Sequence, residues 1–163
     1  MPREDENQLT FFVDAMLGNI AKKMRLMGYD SSYFADIEDD ELIKLAKNDK
    51  RVIISRDEEL INKAQKNGLE CIFLKNNEEI EQFREIVGKL NLKNIQINGD
   101  KARCPICNSK TSPINKKNIQ DKIPLKVLEN NEKFWKCENC EQVFWEGTHI
   151  KNLQKFVEEL NEK

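Results

Sequence analysis

Along the first ninety residues, short β-prone runs alternate with stretches in which apolar side chains recur every three or four positions. The runs are LTFFV at 9–13, SSYFA at 31–35, VII at 52–54 and the segment 69–74 that contains Cys71. The run at 52–54 is too short for a helix and suits a strand buried on both faces of a parallel sheet, and the other three read as strands beside it. Between them, Leu17, Ile20, Ala21, Met24 and Met27 recur at helical spacing, followed by Leu42, Leu45 and Ala46, then Leu60, Ile61 and Ala64, then Ile80, Phe83, Val87 and Leu90. Stripes of this kind predict helices that lay one apolar face on a sheet. Gly28 closes the first helix in the position a left-handed cap prefers. Ser55 and Glu58 match the S-x-x-E capping box, which predicts a turn from strand to helix at Arg56 and Asp57. Strands alternating with helices imply right-handed crossovers and an α/β fold, a mainly parallel sheet flanked by helices.

The pattern changes at about Asn91. Short β-prone pieces rich in Asn, Lys and Pro follow, with two cysteine pairs and little helical periodicity before His149. A last helix carries Ile150, Leu153, Phe156, Val157 and Leu160 on one side and is free to pack on either part of the chain. The expected division is therefore a domain over 8–90 and a small module with a C-terminal helix over 91–163. A chain of 163 residues accommodates one domain plus a module held by a staple of its own.

Composition narrows the class. Charged residues make up 34% of the chain and hydrophobic ones 39%, as in a globular protein with a strongly charged surface. No apolar run approaches the roughly 20 residues that cross a bilayer, and the opening MPREDENQ has no apolar core for export. A cytoplasmic location with no membrane partner is expected; oligomeric state is not legible. The net charge of −2 hides an uneven distribution. Residues 36–85 hold 14 acidic and 9 basic side chains, whereas 89–118 hold 7 basic ones against Asp100 alone. A basic segment binds polyanions or merely forms a solvated face, and both readings stay open.

The acidic residues carry the candidate chemistry. Asp14 directly follows the first strand, Asp57 follows the third, and Asp36, Glu38, Asp39, Asp40 and Glu41 follow the second. In a parallel sheet the carboxyl ends of the strands share one edge, so topology alone brings these acids together at the edge where open α/β sheets bind ligands. Capping and helix dipoles explain Asp39, Asp40 and Asp57 singly, but they do not explain Asp14. Clustered carboxylates repel unless a cation offsets them, and hard oxygen donors suit Mg²⁺ or Mn²⁺. Such a site activates water and stabilises charge on a phosphate under in-line attack, with Lys22, Lys23, Arg25 or Arg56 available to hold the phosphate chain. A phosphoacceptor receiver fits poorly, because Asp14 has no neighbouring acid.

Cys104-Pro-Ile-Cys107 and Cys137-Glu-Asn-Cys140 have the paired spacing of a closed tetrahedral thiolate site. Structural Zn²⁺ is expected, with a rubredoxin-like iron site as the competitor. Asn108 and Glu141 stand where such knuckles often have Gly; Asn tolerates the left-handed conformation and Glu is less at ease there. Cys71 reads as a small buried residue. His149 is not needed as a ligand, and Phe134, Trp135, Phe144 and Trp145 are expected to pack around the metal, base stacking being the lesser alternative.

These residues also carry a family resemblance. The run FFVDAMLGNIAKKMRLMGYD, then DDELIKLAKNDKRVIISRDEEL, then a four-cysteine module closing in VFWEGTHI resemble the PIN-like ribonuclease family known from the C-terminal domain of the Mut-seven exonuclease. The resemblance runs from about Leu9 to Ile150 and is most specific in D-x-M-L-G-x-[IL]-A with R-x-x-G-Y-D, in S-R-D, and in the aromatic-W-x-G-[ST]-H close. It implies a PIN-like domain whose acids bind divalent metal and cut RNA, followed by a zinc ribbon that assists RNA binding. Asp14, Asp40 and Asp57 become the metal-binding acids, Asp39 and Asp36 are alternatives in another register, and Arg25 matches a family arginine. RNA is then the partner, with Lys116 and Lys117 as ribbon contacts. The competing reading is a non-catalytic RNA-binding or ribosome-associated adaptor on the same fold.

Overall fold

Phe11, Phe12, Val13, Val52, Ile53 and Ile54 are all buried, the condition that layers on both faces impose on a central strand. In the computed structural model, which describes residues 9–93 and 95–162, β1 (Thr10–Val13), β2 (Asp30–Ser32), β3 (Val52–Ser55) and β4 (Cys71–Phe73) form a parallel sheet in the order β2-β1-β3-β4. The outer limits expected for the two units, 8 and 163, lie outside the described residues. Side chains alternate across the sheet with the two-residue period of a strand. Phe11, Val13, Val52, Ile54 and Ile72 meet α1 (Gly18–Leu26), α4 (Glu79–Leu90) and α6 (Thr148–Asn161) in the larger core. Phe12, Ile53 and Cys71 meet α2 (Asp39–Asp49) and α3 (Glu58–Lys66) in the smaller one. Each large apolar side chain so buried contributes roughly 1.5–3 kcal/mol, which is why the pattern of apolar runs dominates the fold.

Two strands are shorter than expected. β2 covers only Asp30–Ser32 instead of 31–35: the Tyr33 hydroxyl donates to the Ala15 carbonyl at 2.6 Å and Phe34 is exposed. β4 covers Cys71–Phe73 instead of 69–74. Gly28 does take the left-handed conformation, with φ of 96°. A Cβ there would also meet the Lys101 carbonyl oxygen at 2.9 Å, so the turn must be glycine for two reasons. α6, whose partner the sequence left open, packs on α4, with the Phe83 and Phe156 rings edge to face at 5.6 Å.

The cysteine module is a three-stranded antiparallel sheet of β5 (Thr111–Ile114), β6 (Phe134–Cys137) and β7 (Val143–Phe144), with its own core of Ile119, Leu128, Phe134 and Val143. It includes an unexpected helix, α5 (Leu125–Asn130), whose 6 residues bury only Leu128 and are too few to show a period. The module is anchored at the amino-terminal edge of the parallel sheet. Asn108 accepts from the Ser31 amide at 2.9 Å and donates to Asp30 at 2.7 Å, and Asp30 is level with Thr10 at the start of β1. No helix among the described residues is long and apolar enough to cross a membrane.

Candidate functional site

The strand order reverses between β1 and β3, because β2 lies to one side of β1 while β3 and β4 lie to the other. A crevice opens outside the carboxyl ends of two strands at such a switch point. Asp14 and Asp57 stand there. The Asp14 amide donates to the Ile54 carbonyl at 3.0 Å, which carries the sheet pairing to its last position. Its carboxylate is buried and doubly held: Oδ1 accepts from the Ala15 amide and Oδ2 from the Ser55 hydroxyl, both at 2.7 Å.

The capping box expected of Ser55 and Glu58 is not formed. Asp57 is the N-cap of α3, its Oδ1 accepting from the amides of Glu59 and Leu60 at 2.9 and 3.4 Å. Ser55, fully buried, instead accepts from the Asp57 amide at 2.9 Å while donating to Asp14. One hydroxyl thus ties the two acids of the crevice together. Asp has a cap propensity equal to Ser, and the strand extends through Ser55, so the cap falls two residues later.

Of the acids after β2, Asp39 faces this crevice. Burial, then the carboxylates of Asp57 and Asp14, hold it above the ordinary carboxylate value. Asp40, exposed on the next face of α2, lines a groove with Lys44 and Lys63, and Asp36 is exposed in the preceding turn. The structure therefore brings Asp14, Asp57 and the half-buried Asp39 to one edge and leaves Asp40 and Asp36 exposed. Their oxygens do not close into a cage: among the described residues, the four cysteines are the one acid, His or Cys group whose ligand atoms all lie within 4.8 Å of one another.

The basic face expected on α1 is reduced to Lys22, which is exposed. Lys23 pairs with Glu79 and sits 5.1 Å from the Phe156 ring centroid, so it belongs to the packing of α1 on α4 and α6. Arg25 is buried: its guanidinium donates to the carbonyls of Ser31 at 2.8 Å, Pro105 at 2.9 Å and Ile106 at 3.4 Å, and burial lowers its pKa. Helical spacing put it on the polar side, but that side is covered by the first cysteine knuckle. Arg56 is exposed beside Asp57 and hydrogen-bonds Asn77.

The thiolate site fits a tetrahedral ion. Cys104 and Cys140 sulfurs are 3.7 Å apart and those of Cys107 and Cys137 3.4 Å, against roughly 3.8 Å between ligands of a tetrahedron with 2.3 Å metal–sulfur bonds. These separations are far beyond a disulfide's roughly 2.05 Å. The four cysteines could hold a metal such as zinc. Asn108 and Glu141 both adopt the left-handed conformation, with φ of 72° and 64°. Amides of Asn139 and Cys140 approach the Cys137 sulfur at 3.4 Å. Burial pushes the Cys104 thiol up to about 12.

Lys116 pairs with Glu132 at 3.4 Å, and Lys117 is exposed. Trp135 is buried, donating to Asp100 at 2.9 Å, and its ring lies where a Cβ on Gly99 would fall 2.3 Å away, so it presents no face to a base. His149 is exposed at the start of α6. Cys71 is buried, and desolvation pushes its pKa up to about 11, which disfavours the reactive thiolate. Sequence reasoning missed Asp30, which accepts from Arg51 and Asn108 at 2.7 Å each and faces Arg103 at 3.8 Å. No local signal marks it, since its partners come from two other parts of the chain.

Compared with known proteins, residues 9–157 match the model of one family, described as the Mut7-C RNAse domain. No curated protein and no solved structure matches the chain.

Proposed function

The chain belongs to the Mut7-C RNAse domain family, and from that premise we propose that it hydrolyses RNA phosphodiester bonds with a divalent metal at the carboxyl edge of its parallel sheet. The observation that supports the metal is that Asp14 and Asp57 share one edge, tied through the Ser55 hydroxyl, with Asp39 near enough that, after burial, their charges raise its pKa. Like charges held together in this way favour a cation, and carboxylate oxygens suit Mg²⁺ or Mn²⁺. Asp14, Asp39 and Asp57 would hold it, with Asp40 and Asp36 in the outer ring of charge. A bound ion of this kind supplies an activated water and offsets charge on the phosphoryl oxygens.

The chain's own groups do the positioning. Ser55 and the Ala15 amide fix the Asp14 carboxylate in one orientation while leaving each oxygen a lone pair for a ligand. Asp57 commits Oδ1 to its helix, and Oδ2 has no hydrogen-bond partner among the described residues. Lys22, exposed on the helix that follows Asp14, and Arg56, exposed next to Asp57 in the chain, hold the phosphate chain, a part that Lys23 and Arg25 are not free to play. The cysteine module, read as a zinc ribbon, adds Lys116 and Lys117 as a distant contact for RNA.

The test is cleavage of RNA with Mg²⁺ or Mn²⁺ by the wild type and by Asp14→Asn and Asp57→Asn. Both substitutions should abolish cleavage and leave the fold intact, since Asn caps a helix as well as Asp does. Metal-dependent cleavage that survives both would remove this edge as the site.

A further inference from the structure

The charges of α2 and α3 are sorted along their axes. Asp39, Asp40 and Glu41 open α2, and Glu58 and Glu59 open α3. Lys44 and Lys47 follow on α2, Lys63 and Lys66 on α3, and all four are exposed and line one groove between the helices, with Asp40 at its acidic end. The segment that is acidic in sum therefore carries a basic channel.

Helix dipoles favour lysine in a last turn and account for Lys47, Lys63 and Lys66 along their own helices. They do not account for Lys44, nor for the side. Four ammonium groups turned to one groove repel, and none of them has an ion-pair partner among the described residues. A polyanion laid in the groove removes that cost. The groove also joins the crevice: Asp40 follows Asp39 in the chain, and Lys63 is near enough to Asp39 to oppose the rise in its pKa. From Asp40 to Lys47 the helix advances roughly 10 Å away from the acids.

We infer that the groove between α2 and α3 carries the sugar–phosphate backbone of the RNA strand leading away from the reacting phosphodiester. The inference rests on the ribonuclease reading above and adds the path of the substrate. The backbone suits the site because lysine is a point charge that meets phosphates without reading bases, so the track is indifferent to sequence.

The test is binding of a short single-stranded RNA to the cleavage-dead Asp14→Asn chain at several salt concentrations, with and without Lys44→Ala and Lys47→Ala together. Two lost phosphate contacts should make the log–log salt slope shallower by about 1.4 and weaken binding about 25-fold at 0.1 M salt. Ala favours helix at both positions, and equal thermal unfolding verifies the fold; the pair Lys63→Ala with Lys66→Ala gives the same reading from the other wall. Lys151→Ala with Lys155→Ala, two exposed lysines on α6, should leave the slope alone. An unchanged slope in both groove pairs, or an equal change in the α6 pair, overturns the inference while wild-type cleavage still stands. Wild type that neither binds nor cleaves RNA overturns the ribonuclease reading and takes the groove with it.

Discussion

Asp30 and Asp39 are the same side chain in opposite surroundings, and their stabilities respond to pH with opposite sign. Burial works against the Asp30 charge, but hydrogen bonds from Arg51 and Asn108 and the nearby Arg103 outweigh it and lower the pKa below 3.8. Its contribution is therefore present above the unfolded value and lost as pH falls through the lower folded one. Asp30→Asn should cost about 1.5–3 kcal/mol at neutral pH, and chemical denaturation at pH 7 and pH 3 should show the cost shrinking in acid. Asp39 is raised, so its charge opposes folding above the unfolded value and the penalty fades as pH falls through the folded one. Asp39→Asn should raise the melting temperature at neutral pH while lowering RNA cleavage. A variant that loses both stability and activity would make Asp39 a structural cap rather than a member of the site.

At the level of elements, the first knuckle and the sheet edge hold each other. Arg25 on α1 reaches the carbonyls of Pro105 and Ile106 between the two cysteines, the Arg103 amide donates back to the Arg25 carbonyl at 2.7 Å, and Asn108 caps the open edge of β2. Leaving buried carbonyls without Arg25 costs about 1–3 kcal/mol. Removing metal by chelation, or by Cys104→Ser, should unfold β5 to β7, because a small module depends on its metal for folding. It should also expose the Ser31 amide, which hydrogen exchange can follow. α6 should stay protected, since Leu153, Val157 and Leu160 belong to the larger core. Protection of Ser31 that is indifferent to chelation would uncouple knuckle and sheet.

For the whole molecule, the two candidate centres lie at opposite ends of the parallel strands. The acids stand at the carboxyl edge after Val13 and Ser55, and the knuckle docks at the amino edge beside Asp30. An RNA that meets both must pass around the flank of the domain. Replacing Lys116 and Lys117 by Glu should therefore weaken and flatten the salt dependence of long RNA, and leave a short oligonucleotide at the acidic edge unaffected. Equal effects on long and short RNA would bring the ribbon lysines next to the site; no effect on either would leave the module a purely structural part.

Local patterns specify what neighbours in sequence can decide. Apolar runs and helical stripes were legible because burial energy acts residue by residue, and C-x-x-C pairs because metal geometry demands that spacing. Parallel topology likewise made the shared edge of Asp14 and Asp57 legible before any contact was seen. The tertiary structure decided which groups face each other across elements. It left Asp39 half-buried and Asp40 exposed on successive positions of α2, turned Ser55 from a cap into a bridge, buried Arg25 under the knuckle, and gathered lysines of two helices into one groove. Those outcomes depend on how separate segments pack, and a side chain's own stretch of chain carries no record of a partner 80 residues away such as Pro105 is for Arg25.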